Sequence, residues 1–206
     1  AKLHAPHLHL LRLLGWTAYA VEPTLFYPAT HRSNFHSTPQ AHLQAFYRAF
    51  PRIQHEHFDG LVVTGAPVEH LPFEAVDYWD ELCQIFDWGL EHACAGLYIC
   101  WGAQAALFQR FGVPKYSLPA KMFGVFPHYA QVSSPLLRGL DDEIFIPHSR
   151  HTEIHADDIA RVAELQVLLS SPEAGVHLVA SHGGRQAYFT GHGVADSVSL
   201  NKVSRR

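Results

Sequence analysis

The sequence predicts an α/β layered fold with a mostly parallel sheet. Short apolar runs typical of buried strands alternate with stretches of helical periodicity, and two late strands form a hairpin around Gly183-Gly184. The 206 residues are 48% hydrophobic and 17% charged, which is enough apolar material for a full core. We therefore expect a single domain over residues 1–206.

The first segment predicts a helix, whereas a doubly wound domain normally begins with a strand. Leucines recur through His9–Leu14, and Gly15 follows as a stop signal. Residues 17–26 predict an extended segment, and Thr38-Pro39 supplies an N-cap and a first-turn proline for a helix through about Phe50. Because the chain does not begin with Met, we expect that N-terminal sequence, including a first strand, is missing from it.

A turn rich in small residues follows the first clear strand. Leu61–Val63 predicts a buried strand, and Gly65 and Pro67 end it in a tight turn whose backbone N–H groups are free to point at a ligand. The N–H groups of Gly65 and Ala66 are therefore candidates for an oxyanion hole. The alternative, an ordinary turn at a strand end, stays open at this point.

Cys100 lies at a predicted strand-to-helix junction. Leu97–Ile99 predicts a buried strand and Ala103–Phe111 a helix, which is the arrangement of a nucleophile elbow. Gly102 has no Cβ and lets the backbone turn tightly, while the helix N-terminus favours the thiolate. The N–H of Trp101 would complete the oxyanion hole. The alternative is a buried, inert cysteine.

The remaining elements alternate in the same way. An aromatic-rich helix is predicted before the elbow, an irregular stretch after it, then a strand that leads into His148–His151, and finally a hairpin. The predicted ranges are Tyr78–His92 for the helix, 112–127 for the irregular stretch, Glu143–Pro147 for the strand, and Val176–Ser181 with Gln186–Thr190 for the hairpin.

A cysteine nucleophile needs a proton acceptor, and His192 is the best candidate. It follows the second hairpin strand directly, as Cys100 follows its own strand, and parallel strands end at the same edge of a sheet. His148 and His151, from another predicted strand end, are the alternatives.

Composition excludes several classes of function. The formal net charge is −4, and no cluster of Lys and Arg lies on a predicted helix face, so we expect no nucleic-acid partner. No apolar stretch reaches about 18 residues and no signal-peptide pattern opens the chain, so we expect no membrane contact and a cytoplasmic location.

Cysteine and histidine give no sign of a metal or of disulfides. Three cysteines cannot all pair, and Cys83 lies in a helical pattern. The 17 histidines are scattered and show no metal-ligand spacing, so we expect most of them to be solvated and expect no metal site.

Five ordered blocks resemble the homoserine O-acyltransferases of methionine biosynthesis, the MetA type. The blocks are Phe58–Glu69, Val76–Trp79, Cys100–Ala105, Lys121–Val125 and Pro147–His151. The resemblance covers nearly the whole chain. It implies a class I glutamine amidotransferase-like fold and no cofactor. It also implies a cysteine that takes an acyl group from acyl-CoA, acetyl-CoA being the co-substrate, and passes it to the hydroxyl of homoserine.

The resemblance also implies roles for single residues. Cys100 matches the acyl-carrying nucleophile and His192 its proton acceptor, while Lys121, Ser149 and Arg206 match substrate-binding positions. These types suit the chemistry, since a guanidinium binds a carboxylate in a bidentate manner.

Glu69 matches the position that separates users of acetyl-CoA, which have glutamate, from users of succinyl-CoA, which have glycine. A carboxylate there would repel a succinyl group and leave an acetyl group unaffected. We expect acetyl-CoA as donor and a homodimeric enzyme.

Val194 departs from the family pattern, which has a glutamate there to orient the histidine. From the resemblance we also expect that the N- and C-terminal extensions of the family are missing from this chain. Three interpretations stay open: an active enzyme with a weaker Cys–His pair, a relative with another acceptor such as serine, and a catalytically impaired relative.

Overall fold

The computed structural model describes residues 10–12, 14–16, 19–30 and 46–191, and it shows the predicted alternation of strands and helices. The strands are β1 (Phe26–Tyr27), β2 (Arg48–Ala49), β3 (Phe58–Val63), β4 (Ala93–Ile99), β5 (Tyr116–Ala130), β6 (Glu143–Glu153), β7 (Gln166–Ser171), β8 (Gly175–Ser181) and β9 (Gln186–Phe189). The labelled helices are α1 (Trp79–His92), α2 (Trp101–Phe111) and α3 (Ala156–Ala160). A helical stretch also covers residues 10–12 and 14–15.

Seven strands form the main sheet in the order β3-β4-β9-β8-β7-β5-β6. The pairs β3/β4 and β4/β9 are parallel, and the pairs from β9 to β6 are antiparallel. The parallel strands β3 and β4 therefore end side by side, and the two loops that follow them meet at one edge of the sheet.

The elbow is anchored by a buried polar contact between α2 and β4. The guanidinium of Arg110 donates to the hydroxyl of Tyr98 at 2.8 Å and to the carbonyl of Phe86 at 2.7 Å, and it lies 4.9 Å from the centre of the Tyr98 ring. Burial raises the pKa of Tyr98 to about 12, so its hydroxyl stays protonated. These contacts fix the helix that follows Cys100.

The predicted strands at Leu61–Val63 and Leu97–Ile99 are confirmed as parts of β3 and β4, and the late hairpin is confirmed as β8 and β9. The hairpin turns at Gly183 (φ 66°) and Gly184 (φ 89°), where only glycine is free of strain. β7 and α3 were not predicted; β7 pairs with both β5 and β8.

The prediction of a helix through about Phe50 is wrong. Arg48–Ala49 pairs in parallel with Phe26–Tyr27, and a single 3₁₀ turn follows at Phe50–Arg52. Pairing with a distant strand overrides the local helical pattern. The predicted helix start at Thr38-Pro39 lies outside the described residues.

The irregular stretch predicted over 112–127 is also wrong, because β5 runs for 15 residues from Tyr116. β6 likewise continues to Glu153, which places His148 and His151 within a strand and not at its end. Prolines interrupt the strand pattern of β5 in the sequence, and its pairing with β6 shifts register between Ser117 and Met122. The long hairpin with β6 nevertheless satisfies its backbone.

No helix in the described part of the chain is both long and apolar enough to cross a membrane.

Candidate active site

Cys100 is held in a strained backbone conformation between β4 and α2. Its φ of 56° and ψ of −125° lie outside the regions that residues with a side chain prefer. Its N–H donates to the carbonyl of Phe189 at 2.6 Å, so β9 fixes the turn. The strained strand-to-helix turn is the geometry of a nucleophile elbow, which presents the side chain at the sheet edge.

Gly102 allows close packing between α2 and β3. A Cβ at Gly102 would lie 2.8 Å from the carbonyl oxygen of Thr64 and 3.1 Å from that of Val63. The expectation that Gly102 makes the tight turn is wrong, because the positive φ belongs to Cys100 and Gly102 lies within α2. Its missing side chain instead lets the nucleophile helix approach the end of β3.

Two of the predicted oxyanion-hole residues, Gly65 and Trp101, lie beside the sulfur of Cys100. A Cβ at Gly65 would lie 3.4 Å from Cys100 Sγ and 3.5 Å from the backbone nitrogen of Trp101. Ala66 follows Gly65 and packs against the core. The loop after β3 and the first turn of α2 therefore meet beside the Cys100 sulfur.

Burial raises the pKa of the Cys100 thiol. The N–H of Trp101, hydrogen-bonded to the sulfur, acts in the opposite direction; the charge of Glu69 raises the pKa further and that of Arg150 lowers it. Together these contributions leave the pKa of Cys100 raised. The expected stabilisation of the thiolate by the helix N-terminus is therefore outweighed by burial. To act as a nucleophile, Cys100 would therefore need a proton acceptor.

Glu69 is fixed near the nucleophile. Its Oε2 accepts a hydrogen bond from the backbone N–H of His151 at 3.0 Å, and its carbonyl accepts one from Lys115 Nζ at 2.6 Å. The Lys115 ammonium also lies 4.5 Å from the centre of the Phe73 ring. The loop after β3 is thereby tied to β6, and the Glu69 carboxylate is held close enough to influence the pKa of Cys100.

Lys121 and Ser149 share the more exposed face of the β5/β6 hairpin. Ser149 is the cross-strand partner of Phe123, and Lys121 Nζ lies 5.7 Å from the centre of the Phe123 ring. The hairpin is joined to the elbow helix by the hydroxyl of Thr152, which donates to Oε1 of Gln104 at 2.9 Å. The two predicted substrate-binding residues therefore lie together, on a hairpin attached to the nucleophile helix.

Arg150 is a charged residue near the site that sequence reasoning missed. Its side chain is buried, and its guanidinium donates to the carbonyls of Thr152 and Ala174. Burial lowers its pKa, and the charges of Glu153 and Cys100 raise it. The only signal in the sequence was its place inside the Pro147–His151 block.

His192 and Arg206 lie outside the described residues, as does Val194. Of the alternative bases, His148 points its Nε2 at Nε2 of His128, 3.1 Å away. The ring of His151 lies 4.6 Å from that of His70. Both alternatives are thus engaged with other histidines.

Two groups in the described part of the chain place three potential metal-ligand atoms within 4.8 Å of one another. One is Glu69 with His70 and His151, beside the nucleophile. The other is buried and consists of His128, His148 and His177. The prediction that most histidines are solvated is wrong for this second group.

A family model described as "HTS: Homoserine O-succinyltransferase" matches residues 4–206. The chain belongs to this homoserine O-succinyltransferase family.

Curated relatives in the family carry another acyl group in their name. A homoserine O-acetyltransferase of Desulfitobacterium hafniense (strain DSM 10664 / DCB-2) is 52% identical over 192 residues, 93% of this chain and 62% of the relative. One of Acetivibrio thermocellus is 48% identical over 198 residues, 96% of this chain and 64% of the relative. The chain thus spans less than two thirds of the length of these relatives.

Solved structures of low identity share the fold. The glutaminase domain of Trypanosoma brucei CTPS, with bound acivicin, has a TM-score of 0.62 at 13% identity, over 96% of this chain and 81% of that one. A glutamine amidotransferase of Methylobacillus flagellatus has a TM-score of 0.58 at 13% identity, over 89% of this chain and 74% of that one. The predicted α/β, class I glutamine amidotransferase-like fold of this family member is confirmed.

Proposed function

We propose that this chain transfers an acetyl group from acetyl-CoA to the hydroxyl of L-homoserine through a thioester on Cys100, a step of methionine biosynthesis. The observation that carries the proposal is the elbow itself. Cys100 Sγ lies beside Gly65 and accepts a hydrogen bond from the N–H of Trp101. Donors in this position suit the oxyanion of an acyl-transfer intermediate.

The first half-reaction forms the acyl-enzyme. The Cys100 thiol gives its proton to a base, for which His192 is our candidate, and the thiolate attacks the thioester carbonyl of acetyl-CoA. The carbonyl oxygen takes the negative charge, next to the N–H groups of Gly65, Ala66 and Trp101. The carbon–sulfur bond to CoA then breaks, and the CoA thiolate takes the proton from the base.

The second half-reaction transfers the acetyl group. The base removes the proton of the homoserine hydroxyl as its oxygen attacks the acetyl-Cys100 carbonyl, and the same donors hold the second oxyanion. The bond to Cys100 Sγ then breaks, which releases O-acetylhomoserine and returns the proton to the sulfur. Because burial raises the pKa of Cys100, the thiolate is a strongly basic nucleophile once it forms.

Three residues are proposed to bind substrate. Lys121 and Ser149 offer an ammonium and a hydroxyl from one face of the hairpin, and Arg206 would bind the homoserine carboxylate. We further propose that two copies of the protein form a homodimer.

Acetyl-CoA is the proposed donor because Glu69 holds a carboxylate near the nucleophile. Its Oε2 is fixed by the N–H of His151, so the negative charge cannot swing away freely. The free carboxylate of a succinyl group on Cys100 would be repelled, whereas an acetyl group carries no charge.

Intact-mass spectrometry after addition of acetyl-CoA tests the proposal. We expect a gain of one acetyl group, located on Cys100 by peptide mapping and lost when homoserine is added, with O-acetylhomoserine as product. Cys100→Ala should stay unmodified, whereas Cys94→Ala, which changes an exposed cysteine, should be acetylated like the parent.

Parallel reactions distinguish the other interpretations. Discharge by serine but not homoserine would identify a serine O-acyltransferase, and discharge by water alone a hydrolase. No acetylation of the parent, or full turnover by Cys100→Ala, would contradict the proposal and favour a catalytically impaired relative.

A further inference from the structure

We propose that His128, His148 and His177 form a buried three-histidine site for a divalent transition-metal ion, best suited to Zn²⁺. This three-histidine site is distinct from Cys100 and is independent of the proposed acyl transfer. It is built from strands β5, β6 and β8, one histidine from each.

The three rings are packed together in the protein interior. Their exposed fractions are 0%, 1% and 2%, which is unusual for histidine. The ring centres of His128 and His148 are 5.0 Å apart, those of His128 and His177 5.1 Å, and those of His148 and His177 5.5 Å. One nitrogen from each ring lies within 4.8 Å of the other two.

The tautomer of His128 suits a metal ligand. Its Nδ1 lies 2.9 Å from the carbonyl oxygen of Phe126, so Nδ1 carries the proton and donates it. The lone pair of Nε2 then points toward His148 Nε2, 3.1 Å away. A backbone carbonyl that accepts the second ring N–H is the usual outer contact of a metal-bound histidine.

The spacing is close to that of a tetrahedral site. Two nitrogens bound to Zn²⁺ at about 2.0–2.1 Å lie about 3.3 Å apart. The His128–His148 pair already has nearly this separation, and His177 needs to move inward by no more than about 1.5 Å, the difference from the 4.8 Å limit.

His177 supplies an independent reason to expect a ligand. Within the part of the chain that the structure describes, its buried Nδ1 has no hydrogen-bond partner. Its backbone is fixed, because its carbonyl accepts a hydrogen bond from the N–H of Thr190 at 2.8 Å. A buried polar atom of this kind is explained by a bound water or ion.

The charges of the site fit a metal that binds neutral imidazole. Both rings are buried, and a metal ion binds the imidazole of histidine in its neutral form. The Arg150 cation acts on both rings, and Glu153 Oε2 lies 3.9 Å from its guanidinium. We therefore expect the fourth ligand to be a small anion, such as hydroxide, which reduces the charge next to Arg150.

Cobalt titration of the full 206-residue chain, freed of metal by a chelator, tests the proposal. We expect the visible absorption of tetrahedral Co²⁺ to saturate at one equivalent and to be displaced by Zn²⁺. X-ray absorption of the zinc-loaded chain should show three imidazole nitrogens at about 2.0–2.1 Å.

Variants assign the ligands. His177→Asn and His148→Gln should each weaken binding at least about 100-fold, more than the loss of an outer-shell partner. The double variant His57→Gln/His92→Gln, which changes two neighbouring histidines elsewhere, should bind like the parent. Circular dichroism of the metal-free variants checks that they fold.

Three results would overturn the proposal: no stoichiometric binding by the parent, unchanged binding in both ligand variants, or loss of binding only in His70→Gln/His151→Gln. The last result would show that the metal binds at Glu69, His70 and His151. A carboxylate oxygen bound to the metal, detected by X-ray absorption, would lead to the same conclusion. If neither ligand variant folds, the absorption spectrum of the parent alone decides between three imidazoles and any other ligand set.

Discussion

Glu69 holds a carboxylate close to Cys100, where its charge would act on the acyl group in the proposed reaction. The family is described by succinyl transfer, whereas relatives at 52% and 48% identity are named for acetyl transfer. In the proposed reaction, the Glu69 carboxylate would act on the charge of the acyl group and not on its thioester.

Replacing Glu69 by glycine should therefore shift donor preference. We expect Glu69→Gly to raise kcat/KM for succinyl-CoA relative to acetyl-CoA by about 10-fold or more, because the repulsion is removed. Glu74→Gly, in the exposed 3₁₀ turn after the same loop, is the matched control. An unchanged ratio in Glu69→Gly would show that the charge of Glu69 does not select the donor.

Val194 leads to a second prediction at the scale of a residue. If His192 is the base, Val194→Glu restores the carboxylate that orients and stabilises its charged form, and the rate should rise about 10-fold or more. Val194→Gln, of similar shape but without charge, should give little or none of this gain. Single-turnover acetylation measures the effect, and equal rates in parent and Val194→Glu would indicate a differently organised site.

At the scale of elements, the junction of α2 with the end of β3 governs the site. The backbone of β3 at Val63 and Thr64 contacts the first turn of α2, and the loop that follows carries Gly65 and Glu69. Any displacement of α2 from β3 would therefore separate Cys100 from Gly65, and with them the groups of the proposed acyl transfer.

Gly102→Ala tests this packing. Its new Cβ would lie 2.8 Å from a backbone oxygen, which cannot yield as a flexible side chain would, so we expect a loss of about 1–3 kcal/mol in the free energy of unfolding and slower acetylation. Gly60→Ala, where the nearest atom is 3.8 Å away, serves as control. Urea denaturation and single-turnover kinetics measure the two effects, and a Gly102→Ala protein with parental values in both would contradict this account.

At the scale of the whole molecule, the buried histidines link stability to pH. Burial lowers the pKa of His177 to about 3, whereas the unfolded chain binds the same proton near pH 6.5. Below pH 6.5 the unfolded state therefore binds more protons than the folded state. The contribution of His177 to the free energy of unfolding is therefore complete above pH 6.5, and it falls as the pH drops toward the pKa of the folded state.

We expect His177 alone to lower the free energy of unfolding by about 1.4 kcal/mol per pH unit between pH 6.5 and about 3, and His128 to add to this slope. Urea denaturation from about pH 7 to 5, with a chelator present to remove any metal contribution, measures it. His177→Asn should flatten the slope, whereas His92→Gln should not. An equal slope in parent and His177→Asn would show that His177 is not the group that titrates.

Local sterics made much of the molecule predictable from sequence. The apolar run before Cys100 and the residues after it specify a strand, a sharp turn and a helix, and the turn at Gly183-Gly184 specifies a hairpin. β5 was not predicted, because its prolines and its bulge interrupt the alternating pattern of a strand. Its strand conformation instead depends on tertiary pairing with β6.

The sequence by itself determined the strand, sharp turn and helix around Cys100, because these follow from interactions between near neighbours in the chain. Only the tertiary structure decided that the Glu69 carboxylate is fixed by β6, that burial raises the pKa of Cys100, and that His128, His148 and His177 meet in one cluster. These features depend on sheet order and register, which bring together residues separated by 20 or more positions, and no spacing along the chain records that proximity.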